Sequence, residues 1–177
     1  MRKFEGNETS LGGVFRIEGS VIIHKSATEL FEFWRDLENL PRIMKHLKSV
    51  EIIDQKQSYW KAGGPAGTTL EWEAGVIDEK ENEFISWRSL KNSQIENAGS
   101  VSFIPTVNGR GTEVKVRLCY NPPGGALGDA IAKIFGKDPA DELEEDLERF
   151  KNLMESEKIA RGQYPEEDTD VIDEAAA

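Results

Sequence analysis

A chain of 177 residues has the size of one ordinary domain and can bury on the order of two-thirds of its unfolded surface in a single core. Hydrophobic residues make up 38% and charged residues 31%, and no apolar run approaches the roughly 20 residues that a membrane-spanning helix needs. The net charge of -11 speaks against binding a nucleic-acid backbone, which calls for a basic surface.

The first residues, MRKFEGNETS, have no apolar stretch after their basic pair and do not read as a secretory signal, so a cytoplasmic protein is expected, with residues 1–13 as a loose lead-in. From Val14 to His24, residues Phe15, Ile17, Val21 and Ile23 share one face of an extended segment and Arg16, Glu18 and Ser20 the other, the period of a half-buried strand. Ser26-Ala27-Thr28-Glu29 has the form of a capping box that starts a helix. Leu30, Phe33, Trp34 and Leu37 form the buried stripe of that helix, and Asn39-Leu40-Pro41 restarts a short helix to about His46.

Six strands bounded by Gly, Pro, Asn or Asp follow, at roughly 47–54, 57–63, 67–79, 82–90, 94–104 and 111–121. Leu70, Trp72, Ala74 and Val76 alternate with Thr69, Glu71, Glu73 and Gly75, and Val114, Val116, Leu118 and Tyr120 with Glu113, Lys115, Arg117 and Cys119. Cys119, the single cysteine, is thereby assigned to the polar face; it excludes an internal disulfide and any zinc site built on cysteine pairs. Short connections such as Glu81-Asn82 and Asn108-Gly109-Arg110-Gly111 favour antiparallel pairing.

After Asn121-Pro122-Pro123-Gly124-Gly125 the period becomes helical. Leu127, Ile131, Ile134 and Phe135 carry a first stripe, Gly136 to Pro139 break or kink it, and Leu143, Leu147, Phe150 and Met154 carry it onward. Residues 165–177 hold six acids and no base, which leaves a charge of -5 on residues 1–164. That segment buries too little apolar area to offset its ordering entropy, so residues 159–177 are expected to be a disordered acidic tail. It lacks the glycine and ligand spacing of an EF-hand loop.

One strand, two short helices, six antiparallel strands and a long C-terminal helix define an α+β chain whose helices cover one face of a curved sheet. The segments Gly19 to Val21, Ser26 to Pro41, Pro65-Ala66-Gly67-Thr68, Glu71-Trp72, Ile85 to Ser89, Gly99 to Phe103 and Gly111 to Val114 carry a resemblance. In their order and spacing the chain resembles the START-related superfamily often called SRPBCC, in its polyketide cyclase/dehydrase and lipid-transport branch, over residues 14–158. The resemblance implies a helix-grip fold: a curved antiparallel sheet of about seven strands wrapped around a long C-terminal helix. It also implies an apolar ligand held between sheet and helix, with cyclisation, dehydration or hydrolysis in some members.

With the C-terminal helix over the concave face, the candidate ligand-binding residues are Leu70, Trp72, Trp87, Asn97, Val101, Phe103, Leu118, Tyr120, Leu127, Ile131 and Phe135. Ser86 and Arg88 share a face with Phe84 and Leu90, and Ile85 and Trp87 share the other, so the inward side of that strand stays open. His24 and His46 are the two histidines and are read as surface residues. Glu71 and Glu73 share a wet face unless a bulge inverts it. Arg42, Lys45, His46 and Lys48 form the one local basic cluster, a solvated helix face or a contact for an acidic headgroup or a transient membrane surface. No catalytic constellation, metal cluster or cofactor motif stands out; the Gly63 to Gly67 loop lacks the Lys-Ser/Thr of a phosphate loop.

The expected function is binding or carriage of a hydrophobic small molecule such as a lipid, quinone, isoprenoid or polyketide. The alternatives are a cyclase or dehydratase using Asn97, Tyr120 or Glu73, and a protein-interaction module using the acidic tail or the kinked helix.

Overall fold

The computed structural model of the chain describes residues 15–64, 67–91, 93, 95–121 and 139–160. The strands are β1 (Phe15–Ile23), β2 (Leu47–Ile52), β3 (Gln57–Gly63), β4 (Thr69–Lys80), β5 (Phe84–Ser89), β6 (Glu96–Pro105) and β7 (Thr112–Asn121). Helix α1 (Ala27–Arg35) and a 3₁₀ helix (Leu37–Arg42) lie between β1 and β2, and helix α2 spans Pro139–Ala160.

All neighbouring strands are antiparallel, in the order β1-β7-β6-β5-β4-β3-β2. Because β1 and β2 lie on opposite edges, the chain between them has to cross the sheet. That crossing is made by α1, packed on β6, and by the 3₁₀ helix, packed on β2. Helix α2 lies along β1 on the same curved sheet.

Local chemistry accounts for these elements. The Ser26 hydroxyl accepts the Glu29 N–H at 3.2 Å, and the Glu29 carboxylate accepts the Ser26 N–H at 3.1 Å, which closes the capping box. The second short helix differs from the sequence expectation. It is 3₁₀ and ends at Arg42, with Pro41 inside it unable to donate to the preceding turn. The Ile43 and Met44 N–H groups both donate to the Leu40 carbonyl, and the chain turns into β2. In β5, Ile85 and Trp87 are buried and Arg88 is exposed, which settles the inward side left open by the sequence. A register shift between Val76 and Asp78 leaves Ile77 exposed, well past Glu71 and Glu73.

Two aromatic contacts join the layers. The Trp34 ring of α1 meets Phe103 of β6 and Phe150 of α2 edge-on, with centroids 6.5 and 5.4 Å apart. Leu143, Leu147, Phe150 and Met154 of α2 are all buried at the spacing of one helix face. At the crossing of α2 and β1, a Cβ on Gly19 would stand 3.1 Å from the side chains of Leu143 and Leu147. Residues 1–13, the segment Ala126 to Phe135, the break at Gly136 to Asp138 and the acidic tail beyond Ala160 lie outside the described residues.

The buried stripe of α2 yields a stability test. Leu147→Ala should lower unfolding free energy by about 2–5 kcal/mol, the range for a leucine removed from a packed core. Urea denaturation measures it, and an unchanged midpoint would contradict the face assigned to α2.

Candidate functional site

A cavity lies between the sheet and the first turns of α2. Its walls are Trp60 of β3, Trp72 of β4, Trp87 of β5, Ile17 of β1 and Leu118 of β7, with Met44 and Leu47 at one side. Asn97, Ala98 and Cys119 border it from β6 and β7, and Pro139, Glu142, Leu143 and Asp146 from α2. Trp60 and Trp72 are directly paired across β3 and β4 and stack at 5.8 Å with 21° between their planes. The Trp60 indole N–H donates to the Ser58 hydroxyl at 2.8 Å, so that ring presents its polar edge to the strand and its apolar surface elsewhere. Trp87 faces Gly99 across β5 and β6; a Cβ there would fall 2.4 Å from the ring, so glycine gives the indole its place. The cavity measures about 50 Å³, several times the space one water requires. A larger ligand has to widen it.

One corner is charged. Asp146 and Glu142 are both buried, four residues apart on one face of α2. Arg149 of the same helix donates through Nη2 to Asp146 and through Nε to the Ile43 carbonyl at 2.8 Å, which ties α2 to the turn before β2. Its guanidinium lies 3.9 Å from Glu142. His46, with 16% of its side chain exposed, places Nδ1 3.8 Å from Asp146. Burial, and then the positive charge of Arg149, push the His46 imidazole down to about 4. Burial pushes the Asp146 carboxyl up to about 7 against the pull of Arg149, and nearby Glu142 adds to the rise. The His46–Asp146 approach is therefore not an ion pair near neutrality.

His46, Glu142 and Asp146 also offer donor atoms within 4.8 Å of one another. Arg149 holds one oxygen of Asp146 and leaves the other turned to His46, so the guanidinium competes with any cation for this group.

Of the residues singled out in the sequence, Trp72, Trp87, Asn97 and Leu118 line the cavity. Phe103 is instead packed edge-on against Phe31 of α1, and Val101 is fully buried in the core. Leu70 packs partly buried against the core outside the cavity lining. The side chain of Tyr120, and all of Leu127, Ile131 and Phe135, lie outside the described residues. Glu73 is exposed, and Glu71 accepts a 2.8 Å hydrogen bond from Tyr59. His24 is exposed and bonded to Glu155.

Of the basic cluster, Arg42, Lys45 and Lys48 are exposed and His46 is not. Arg42 covers the Phe33 ring at 5.4 Å, Lys48 donates to Thr69, and His46 turns inward to the cavity instead of lying on the surface. Cys119, assigned to the polar face, borders the cavity at half-buried exposure. The sequence reading does not single out Trp60; its signal is the alternation of Ser58, Trp60 and Ala62 along β3. Glu142 and Asp146 immediately precede Leu143 and Leu147 of the buried stripe, a signal that they flank the helix face turned to the sheet.

A family model described as polyketide cyclase/dehydrase and lipid transport matches residues 23–148. The chain belongs to this family. A Deinococcus radiodurans protein, DR_A0006, is 41% identical in sequence, with a TM-score of 0.67 over 79% of this chain and 96% of that one. At 17% identity the family fold recurs in the Zhui aromatase/cyclase from Streptomyces sp. R1128, with a TM-score of 0.66 over 84% of this chain and 98% of that one. A START superfamily protein from Mycobacterium smegmatis, also 17% identical, has a TM-score of 0.63 over 78% and 98%. No curated protein matches the sequence. No helix among the described residues is long and apolar enough to cross a membrane.

Two tests follow from this geometry. Gly99→Ala should displace the Trp87 indole and cost about 1–3 kcal/mol through overpacking, read by thermal denaturation together with the tryptophan fluorescence maximum; an unchanged spectrum and midpoint would contradict the contact. The second concerns pH. Asp146, raised in the folded state, binds a proton that the unfolded chain has lost, so its contribution to stability falls as pH rises from about 4 to 7. His46, lowered in the folded state, makes the opposite contribution, which rises from about 4 to 6.5. The two offset each other in the parent protein. Asp146→Asn should make stability climb with pH over that window, and His46→Gln should make it fall. Urea midpoints from pH 4 to 7 read the slopes, and parallel profiles for both variants would refute the assignment.

Proposed function

We propose that the protein binds and carries a hydrophobic small molecule, within the cytoplasm, in the cavity between its sheet and α2. The observation that carries this reading is the convergence of Trp60, Trp72 and Trp87 on one mostly apolar space. Three buried indoles are a large aromatic surface to border one cavity, and apolar walls with a few fixed polar groups are what small-molecule sites require. Asn97 supplies one such group: its side-chain oxygen is buried without a hydrogen-bond partner among the described residues. A ligand that donates a hydrogen bond there removes the cost of that buried acceptor. Family membership supports the same reading, since its description names lipid transport beside cyclisation.

A second reading, a cyclase or dehydratase, is favoured by one observation. Asp146 and His46 border the cavity with proton affinities displaced in opposite directions, the arrangement by which neighbouring groups divide acid and base roles. Conversion of a poly-keto thioester, lost in Asp146→Asn while uptake of the same compound persists, would favour catalysis over carriage.

Native mass spectrometry of gently purified protein tests the carrier. The expected spectrum has an added apolar mass, or gains one after incubation with a lipid and isoprenoid extract, and loses it in Trp87→Ala. Protein that stays empty throughout would contradict the proposal.

A further inference from the structure

We infer that the ligand of this cavity is a hydrophobic cation, an amine with an aromatic or apolar body, whose ammonium group sits at Glu142 and Asp146 and whose body lies against Trp60, Trp72 and Trp87. The inference rests on the reading of the cavity as a small-molecule site and adds the charge of its occupant.

Charge balance comes first. Two carboxylates border the cavity on α2, and the one guanidinium near them is committed by hydrogen bonds to Asp146 and to the Ile43 carbonyl. It reaches Glu142 only at 3.9 Å, and its other side is 3.6 Å from the half-exposed Glu145. His46 adds no positive charge near neutrality. Among the described residues the two buried carboxylates are therefore short of one positive charge, and Glu145 beside the same guanidinium supplies none, in a setting where burial makes an unbalanced charge costly. In the free protein a proton on Asp146 makes up that difference. A monovalent ammonium does so as well, and brings three N–H donors to carboxylates that can only accept. A divalent metal ion would overshoot the balance and face the guanidinium at close range.

The walls select the same class. Indole faces carry the negative end of the ring quadrupole and attract a cation within about 6 Å, an attraction that grows when water is excluded. An anion would meet both the carboxylates and the indole faces unfavourably. A neutral alcohol or ketone would gain only the apolar contact and whatever hydrogen bond Asn97 supplies.

Three isosteric probes decide: naphthylmethylamine, naphthylmethanol and naphthoate, titrated into the full-length protein by calorimetry at pH 8. The amine is expected to bind about tenfold or more tighter than the alcohol, as one charge-assisted hydrogen bond with cation–π contacts supplies, and naphthoate weakest of all. Glu142→Gln should bring the ratio of amine to alcohol affinity toward one. Glu148→Gln, exposed on the same helix and outside the cavity lining, should keep it.

Equal affinity for amine and alcohol, or tightest binding of naphthoate, would overturn the cation and leave the cavity as a binding site. A ratio that survives Glu142→Gln unchanged would overturn the position assigned to the ammonium. Zinc ion alone binding at micromolar concentration and displacing the amine would reassign the corner to a metal. Failure of all three probes to bind at millimolar concentration would remove the binding reading itself, and the cation with it.

Discussion

Helix α2 rests on β1 at Gly19, where any larger residue would bring a Cβ to 3.1 Å from Leu143 and Leu147, and the rest of the site follows from that close approach. With Leu143 and Leu147 turned down onto the sheet, the helix period fixes the direction of their neighbours. Glu142 and Asp146 face the cavity and Arg149 reaches back to the turn at Ile43. The antiparallel order brings β1 beside β7, so the helix that lies on β1 also borders Leu118 and Cys119 of the adjacent strand. The three tryptophans come from β3, β4 and β5, farther across the curved sheet. A cavity remains where the helix and the far part of the sheet do not meet.

That arrangement separates packing from recognition within one helix. Leu147, Phe150 and Met154 bury their side chains in the core, and their contribution does not depend on what occupies the cavity. Glu142, Asp146 and Arg149 form a compact charge cluster whose members need each other, since removing one partner of a buried pair leaves the other uncompensated. Such clusters contribute little net stability compared with apolar packing. The opposite displacements of His46 and Asp146 have the same origin: burial favours the neutral form of each, which is the base for histidine and the acid for aspartate.

Much of the fold was legible because its signals are local. Alternation in Leu70 to Val76 and Val114 to Tyr120, the Ser26–Glu29 box and the stripe from Leu143 to Met154 each depend on a few neighbouring residues, and the structure has each element at or near its expected place. The site was less legible, because it is made by residues far apart in sequence. Nothing near His46 announces Asp146, one hundred residues away, and a histidine between lysines reads as surface until the helix lies over it. Alternation identifies the apolar face of a strand but does not divide that face between core and cavity. Phe103 and Trp72 obey the same pattern, yet α1 covers the first and the second lines the cavity. Trp87 could be placed only once Ile85 beside it in the same register was seen to be buried.

The central claim, that the space walled by Trp60, Trp72 and Trp87 is the binding site while the remaining tryptophan is scaffold, has a direct measurement with its control built in. The chain has four tryptophans, and each indole N–H gives one resolved signal in a nitrogen–proton correlation spectrum. Trp34 is sealed between Phe103 and Phe150 with 1% of its surface exposed. On titration with an apolar aromatic probe, the signals of Trp60, Trp72 and Trp87 should shift together and saturate at one ligand concentration, with the Trp34 signal stationary. Movement of Trp34 alone, or equal movement of all four, would contradict the account.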